Sequence, residues 1–203
     1  YSRTEGMWNR STHPYLVDVS WEANQPLTLF VQTRDQQSLQ VLEADEDTGR
    51  TEKAIEINDP YWVEIIPGTP QRWRDGWLTI QEHEQNRSLL FNGRPLSTPD
   101  QWVRSVIAAD ETRILYTASV DPTVVDLWSH NGESTKCLTN ASGVTQVQSS
   151  SSVTVLEQSS IERPAEATVS KGQTVSTVKD FSTTPLVTPQ VRFHLTGNLD
   201  AHS

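Results

Sequence analysis

Four times along these 203 residues an apolar, alternating run begins about 40 to 45 positions after the one before it, near positions 17, 62, 102 and 144. A repeat of that length is one supersecondary unit that cannot bury its own apolar face and must stack on its neighbours. The unit is clearest at 102–138, WVRSVIAADETRILYTASVDPTVVDLWSHNGESTKCL. Two alternating runs, Trp102 to Ala108 and Arg113 to Ser119, flank a turn at Asp110-Glu111. Val124 to Ser129 follows a loop containing Asp121 and Pro122, and the turn His130-Asn131-Gly132 feeds Ser134 to Leu138. An Asn-Gly pair between alternating runs signals a hairpin because both residues tolerate positive φ. Four strands in about 40 residues is the size of one β-propeller blade.

The same grammar reads elsewhere. The first unit comprises Tyr15 to Trp21, Leu27 to Gln32, Ser38 to Ala44, a turn through Gly49, and Thr51 to Ile57. The second opens at Trp62 to Ile66 and continues through Gly76 to Gln81, Arg87 to Phe91, the turn Asn92-Gly93 and a short strand from Pro95 to Ser97. The fourth runs from Val144 through Ser152 to Leu156, Ala165 to Ser170, the turn Lys171-Gly172 and Thr174 to Val178. No segment sustains a helical period. The expected fold is therefore all-β: about four consecutive four-stranded antiparallel blades of a β-propeller, a partial propeller over 15–183. The blades fall at about 15–58, 60–99, 101–140 and 143–182. Residues 1–14 read as the tail of an upstream segment, and 184–203, broken by Pro185 and Pro189, as an exit segment. A β-sandwich is the alternative, because strand spacing alone does not separate two packed sheets from stacked blades.

Only 34% of the residues are apolar, so the seven Trp must carry much of the core. Repeat position predicts that Trp21, Trp62, Trp102 and Trp128 face inward. The net charge of −10 argues against nucleic acid, whose phosphates need a basic face. No run approaches the roughly 18 apolar residues of a membrane span, so no membrane partner is expected. The start at Tyr1, without Met, reads as a fragment boundary. The single Cys137 excludes an intrachain disulfide and a zinc site built from several Cys. It is expected to sit inward on a strand. The cytoplasm is the expected compartment, with secretion the alternative.

Candidate chemistry is sparse. Asp45-Glu46-Asp47 with Gly49 suggests a calcium loop but lacks the twelve-residue pattern and its closing Glu, and reads better as a solvated hairpin turn. His83-Glu84 is not a zinc motif, since Arg87 stands where a second His would be needed. The five His (13, 83, 130, 194 and 202) show no ligand spacing. No GxSxG elbow occurs; Asn140-Ala141-Ser142-Gly143 comes nearest and reads as a loop between blades. The adjacent Asp110-Glu111 offers no acid–base geometry. Asn9-Arg10-Ser11, Asn86-Arg87-Ser88 and Asn140-Ala141-Ser142 match the glycosylation triplet, which matters only in a secreted protein. Accordingly no catalytic, cofactor-binding or metal-binding residue is assigned, and no cofactor is expected.

Taken in order, several short runs resemble a known family. They are His13 to Trp21 (HPYLVDVSW), Asp45 to Arg50 (DEDTGR), Asp59 to Val63 (DPYWV), Gly76-Trp77-Leu78, Asn92-Gly93 with Leu96-Ser97-Thr98, Val106-Ile107-Ala108, Leu115 to Ser119 (LYTAS) and Pro189 to Phe193 (PQVRF). From about Tyr15 onward the chain resembles the C-terminal half of the N-terminal β-propeller domain of bacterial dipeptidyl peptidase IV-like serine peptidases, in the prolyl oligopeptidase family. The resemblance implies a propeller of about eight blades that caps an α/β-hydrolase domain of the same polypeptide and restricts which peptides reach it. It implies that the hydrolase removes dipeptides after a penultimate Pro or Ala. The family's catalytic triad would lie beyond Ser203, and its amine-binding glutamates before Tyr1. The aromatic–arginine pair that mammalian members carry near the equivalent of Ile66-Pro67 has no counterpart here.

Three functions follow as expectations. The first is the non-catalytic, access-controlling part of a serine exopeptidase, with peptide substrates in the intact enzyme. The second is a standalone β-propeller-like protein-interaction module. The third is a sugar- or cell-surface-binding β-protein that would display several Trp on one platform. A four-blade segment also has two open edges, so the isolated chain is expected either to pair them with another copy, as a homodimer, or to pack less regularly.

Overall fold

The computed structural model describes residues 7–21, 25–83, 86–139, 142–150, 152–172, 174–179, 181, 187 and 191–193. Among them are sixteen strands and no helix. The chain divides into two compact units, residues 1–66 with 70–77, and residues 67–69 with 78–203.

The first unit holds β1 (Tyr15–Ser20), β2 (Leu27–Gln32), β3 (Ser38–Ala44) and β4 (Thr51–Asn58), paired antiparallel in sequence order. β2 and β3 alternate between two apolar faces, because successive side chains of a strand point to opposite sides. On one face Phe30, Leu39 and Val41 pack with Val63 and Trp77, and Ala54, Ile55 and Ile57 close around them. On the other, Leu29, Val31, Leu42 and Ala44 pack with Trp8 and Leu27. Register keeps like with like: Phe30 stands opposite Val41, and Leu29 opposite Leu42. A bulge between Val41 and Leu42 in the β3–β4 pairing admits Ala54 as an extra residue. Residues 7–13 lie against this sheet. Met7 bridges Arg50, and His13 is buried.

The expected strand at Trp62 to Ile66 does not form. Asp59 Oδ1 accepts the amides of Tyr61 and Trp62 at 2.8 and 3.0 Å, turning the chain. Val63 N then donates to Gln36 O at 2.7 Å, and Val63 O accepts Gln32 Nε2 at 3.3 Å. The apolar pattern of this stretch thus marks a plug, with Val63 and Ile66 buried, rather than a ladder. The first unit ends with β5 (Gln71–Trp73), the turn Arg74-Asp75, and Gly76 and Trp77 of β6 (Gly76–His83).

The rest of β6 opens the second unit, followed by β7 (Asn86–Phe91) and β8 (Arg94–Pro95). Asn92 and Gly93 both have positive φ (48° and 78°), the two-residue turn their sequence calls for. β8 stops at Pro95, short of the expected Ser97. Leu96 N still bonds Leu89 O at 2.8 Å, and Ser97 Oγ accepts Leu89 N at 3.0 Å. A side chain replaces the last rung of the ladder. Next come β9 (Trp102–Ala109), β10 (Ile114–Ser119), β11 (Asp126–His130) and β12 (Thr135–Cys137), an antiparallel meander. The second and third strand sets are not separate sheets, because one parallel bridge, Arg87 to Trp102, joins β7 to β9. Gly68 makes a close approach to β9: with φ +81°, a Cβ there would lie 2.0 Å from Val106 O, so only glycine fits.

β13 (Val144–Ser149), β14 (Val153–Ser159), β15 (Glu166–Lys171) and β16 (Thr174–Thr177) form the last four-stranded sheet, again in sequence order. It is linked to β11 by backbone bonds of 2.9 Å from Val125 N to Gly143 O and from Thr145 N to Val125 O. Leu115, Leu127 and Val147 pack between the sheets, with Ile107 and Leu156 against them. Among the described residues the strands of each sheet thus follow chain order, without the Greek-key crossovers of an immunoglobulin-type sandwich.

The inward-facing expectation fails for Trp21, Trp62 and Trp102. Trp21 is 70% and Trp62 65% exposed, Trp102 is 37% exposed, and Trp128 is half-buried. The fully packed tryptophans are Trp73 at 4% and Trp77 at 7%. Trp21 lies beyond the end of β1 and Trp62 outside any strand, so repeat position gave them no inward face.

The core assignment makes a direct stability prediction. Leu39→Ala should cost about 2–5 kcal/mol, while Leu16→Ala on the half-exposed β1 should cost less than about 1 kcal/mol. Urea unfolding of the intact protein measures both; equal losses would contradict the assignment.

Candidate functional site

The residues that suggested chemistry are mostly occupied by turns. Asp45 Oδ1 accepts both the amide and the hydroxyl of Thr48 at 2.7 Å, and these bonds hold its carboxyl below the usual carboxylate range. Its loop is a closed turn. Asp110 does the same for Thr112 and Arg113: its Oδ1 accepts Thr112 N, Thr112 Oγ1 and Arg113 N at 2.6–2.9 Å. The Thr112 hydroxyl is the main cause of its lowered pKa, so it is a turn anchor rather than a proton donor. Among the described residues no group of three or more His, Cys, Asp or Glu could hold a metal ion.

Ser142 and Gly143 lie in a packed connection, where a Cβ on Gly143 would meet Ser159 O at 2.1 Å. Asn140 and Ala141, Glu84, His194 and His202 lie outside the described residues, as does the side chain of His83. Cys137 is half-buried on β12, as expected of an inward strand residue, with Sγ 2.8 Å from Thr139 O; burial pushes its thiol up.

The structure brings together one polar constellation that the sequence reading missed, around the connection from β8 to β9. Gln101 N donates to Thr98 O at 3.1 Å. Gln101 Oε1 accepts Thr98 N at 3.1 Å and the Tyr116 hydroxyl at 3.0 Å. Tyr116 is fully enclosed, and burial raises its phenol to about 12, so it acts as a neutral donor. Thr135 Oγ1 donates to Leu96 O at 3.0 Å. With its proton so committed, it accepts from Nδ1 of buried His130, also at 3.0 Å. These bonds tie the connection to β10, β11 and β12 without using strand pairing. Arg87 stacks on Trp102, 4.9 Å from the ring centre, and pairs with Glu82 at 2.5 Å. The only signal in the sequence was a Gln beside a Trp at a strand start.

The exposed Trp21 and Trp62 do not make one platform. Trp21 Nε1 bonds Glu46 beyond the end of β3. Trp62 N bonds Asp59, whose own amide bonds Gln37, just before the start of β3. At roughly 3.3 Å per residue the seven residues of β3 hold these ends about 20 Å apart. This geometry disfavours the sugar-platform expectation.

With the sheets and this constellation described, the comparisons with known proteins can be placed. The sequence pattern of the dipeptidyl peptidase IV (DPP IV) N-terminal region matches residues 5–164. The chain belongs to that family. Among solved structures, a Bacteroides ovatus protein described as a dipeptidyl aminopeptidase IV superimposes with a TM-score of 0.60 at 15% identity. The likeness covers 77% of this chain and 27% of that one, so this chain spans about a quarter of that neighbour's length. No curated protein sequence matches.

One carboxylate stands far from its ordinary value for structural reasons. Glu56 is held at about 2 by bonds from Lys53 and Gln40, with Ser38 adding to them against the opposing effect of burial. The Lys53 contact is 2.6 Å and those from Gln40 and Ser38 are 3.1 Å. A depressed folded-state pKa contributes stability above the unfolded value of 4.5, and that contribution is lost as pH falls through about 2. The urea midpoint should therefore fall between pH 4.5 and 2, and Glu56→Gln should flatten that fall. An unchanged slope in the variant would contradict the assignment.

Proposed function

We propose that this chain is a non-catalytic β-propeller segment of a DPP IV-like serine exopeptidase. In this reading it caps the hydrolase domain of the same polypeptide and restricts peptide access to it. The observation that carries the reading is the family match over residues 5–164. The two four-stranded sheets and the eight-stranded sheet between them in sequence, all running in chain order, support it. So does the surface of β1: Tyr15, Leu16, Val17 and Val19 are each more than a third exposed on a strand that, among the described residues, pairs with β2 alone. A row of apolar side chains at an open edge suits a further sheet of the same domain, which would remove the edge from solvent. In the isolated chain a second copy could cover it instead. In this reading a closed propeller over the catalytic centre would admit a narrow peptide end and stop a folded domain.

The natural protein should release dipeptides from short unblocked peptides with Pro or Ala in the second position. It should leave intact the same sequence presented at the N-terminus of a folded protein. Cleavage of both at equal rates would overturn the capping role. Cleavage of neither would overturn the peptidase assignment.

A further inference from the structure

Beside the start of β9 lies a cavity of about 320 Å³, lined by Asn86, Asp100, Gln101, Trp102, Arg104 and Ser119 together with the loop after β10. Gln101 is only 1% exposed. The Thr98 amide can only donate, so it fixes the Gln101 oxygen on its own side and leaves both amide hydrogens on Nε2. That Nε2 is buried and has no acceptor among the described residues. A buried donor without a partner is costly, and each such group calls for an explanation such as a ligand or an ordered water.

The other walls narrow the choice. Arg104 is pinned through Nε to Ser119 Oγ at 2.8 Å, which leaves its terminal nitrogens for an anion in the fork geometry that suits a carboxylate. Asp100 contributes a negative charge to the same cavity, which complements an ammonium and repels a dianion such as phosphate. Trp102, with Arg87 stacked on it, and Val120 and Pro122 supply apolar surface.

We propose that this cavity binds a small zwitterion with an apolar side chain, an amino acid or a short unblocked peptide. Its carboxylate lies on Arg104 and Gln101 Nε2, its ammonium on Asp100, and its side chain against Trp102. The site is independent of the peptidase reading, because it rests on the polarity of the cavity alone.

Hydrogen exchange on the intact natural protein tests it, with leucine, leucyl-leucine and N-acetyl-leucine amide as probes. Leucine or leucyl-leucine should saturably protect segments 100–104 and 119–122, whichever protects more identifying the natural size, and the doubly capped probe should not. Arg104→Gln and Asp100→Asn should each weaken that protection by about tenfold or more, the loss of one charge-assisted contact. No protection by either free probe at about 10 mM, well past the range of specific binding, would leave Gln101 to an ordered water and overturn the proposal. Equal protection by the capped probe would overturn it too.

Discussion

A strand buried on both faces cannot stand in a single layer, and that constraint shapes this molecule. β2 is enclosed from Thr28 to Gln32, and β10 from Ile114 to Ser119. Each needs apolar material above and below it as well as hydrogen-bonded neighbours at its sides. In the first unit the two layers are Val63 with Trp77 on one face and Trp8 on the other. In the second, Leu115 of β10 meets Val147 of the following sheet.

Burial on both faces also creates a polar problem that the fold must solve. Tyr116 carries a hydroxyl into the interior, and an unmet hydroxyl there costs about 1–3 kcal/mol. Gln101 answers it, and the same amide holds Thr98. Thr135 and His130 settle Leu96 nearby. The connection from β8 to β9 is thus held by side chains. Gln101 Nε2 is left without an acceptor among the described residues, and Gln101 lines a cavity that also carries Arg104 and Asp100.

Much of the strand pattern was legible in the sequence, because alternation and turn residues are local signals. β9 to β12 and β13 to β16 follow the expected runs within a few residues. The errors came where tertiary structure overrides local pattern. Trp62 to Ile66 looks like a strand, but Asp59 turns the chain and Gln36 captures Val63. The Asn131-Gly132 turn departs from its expected form. Only Gly132 has positive φ, at 98°, while Asn131 Oδ1 accepts the amides of Glu133 and Ser134 instead. The direction of a tryptophan depends on where its strand ends, so Trp21 was misassigned and Trp73 and Trp77 were missed. Beyond a Gln beside a Trp at a strand start, the Gln101 constellation was not legible, because its members are brought together only by the pairing of β9 to β12.

The central proposal is that this chain is one part of a larger peptidase. The native mass of the protein in its source cells, read by immunoblot with an antibody raised to this chain, tests it most directly. The account predicts a band several times heavier than 22.8 kDa. A band at 22.8 kDa would contradict it and would make the chain a self-sufficient module.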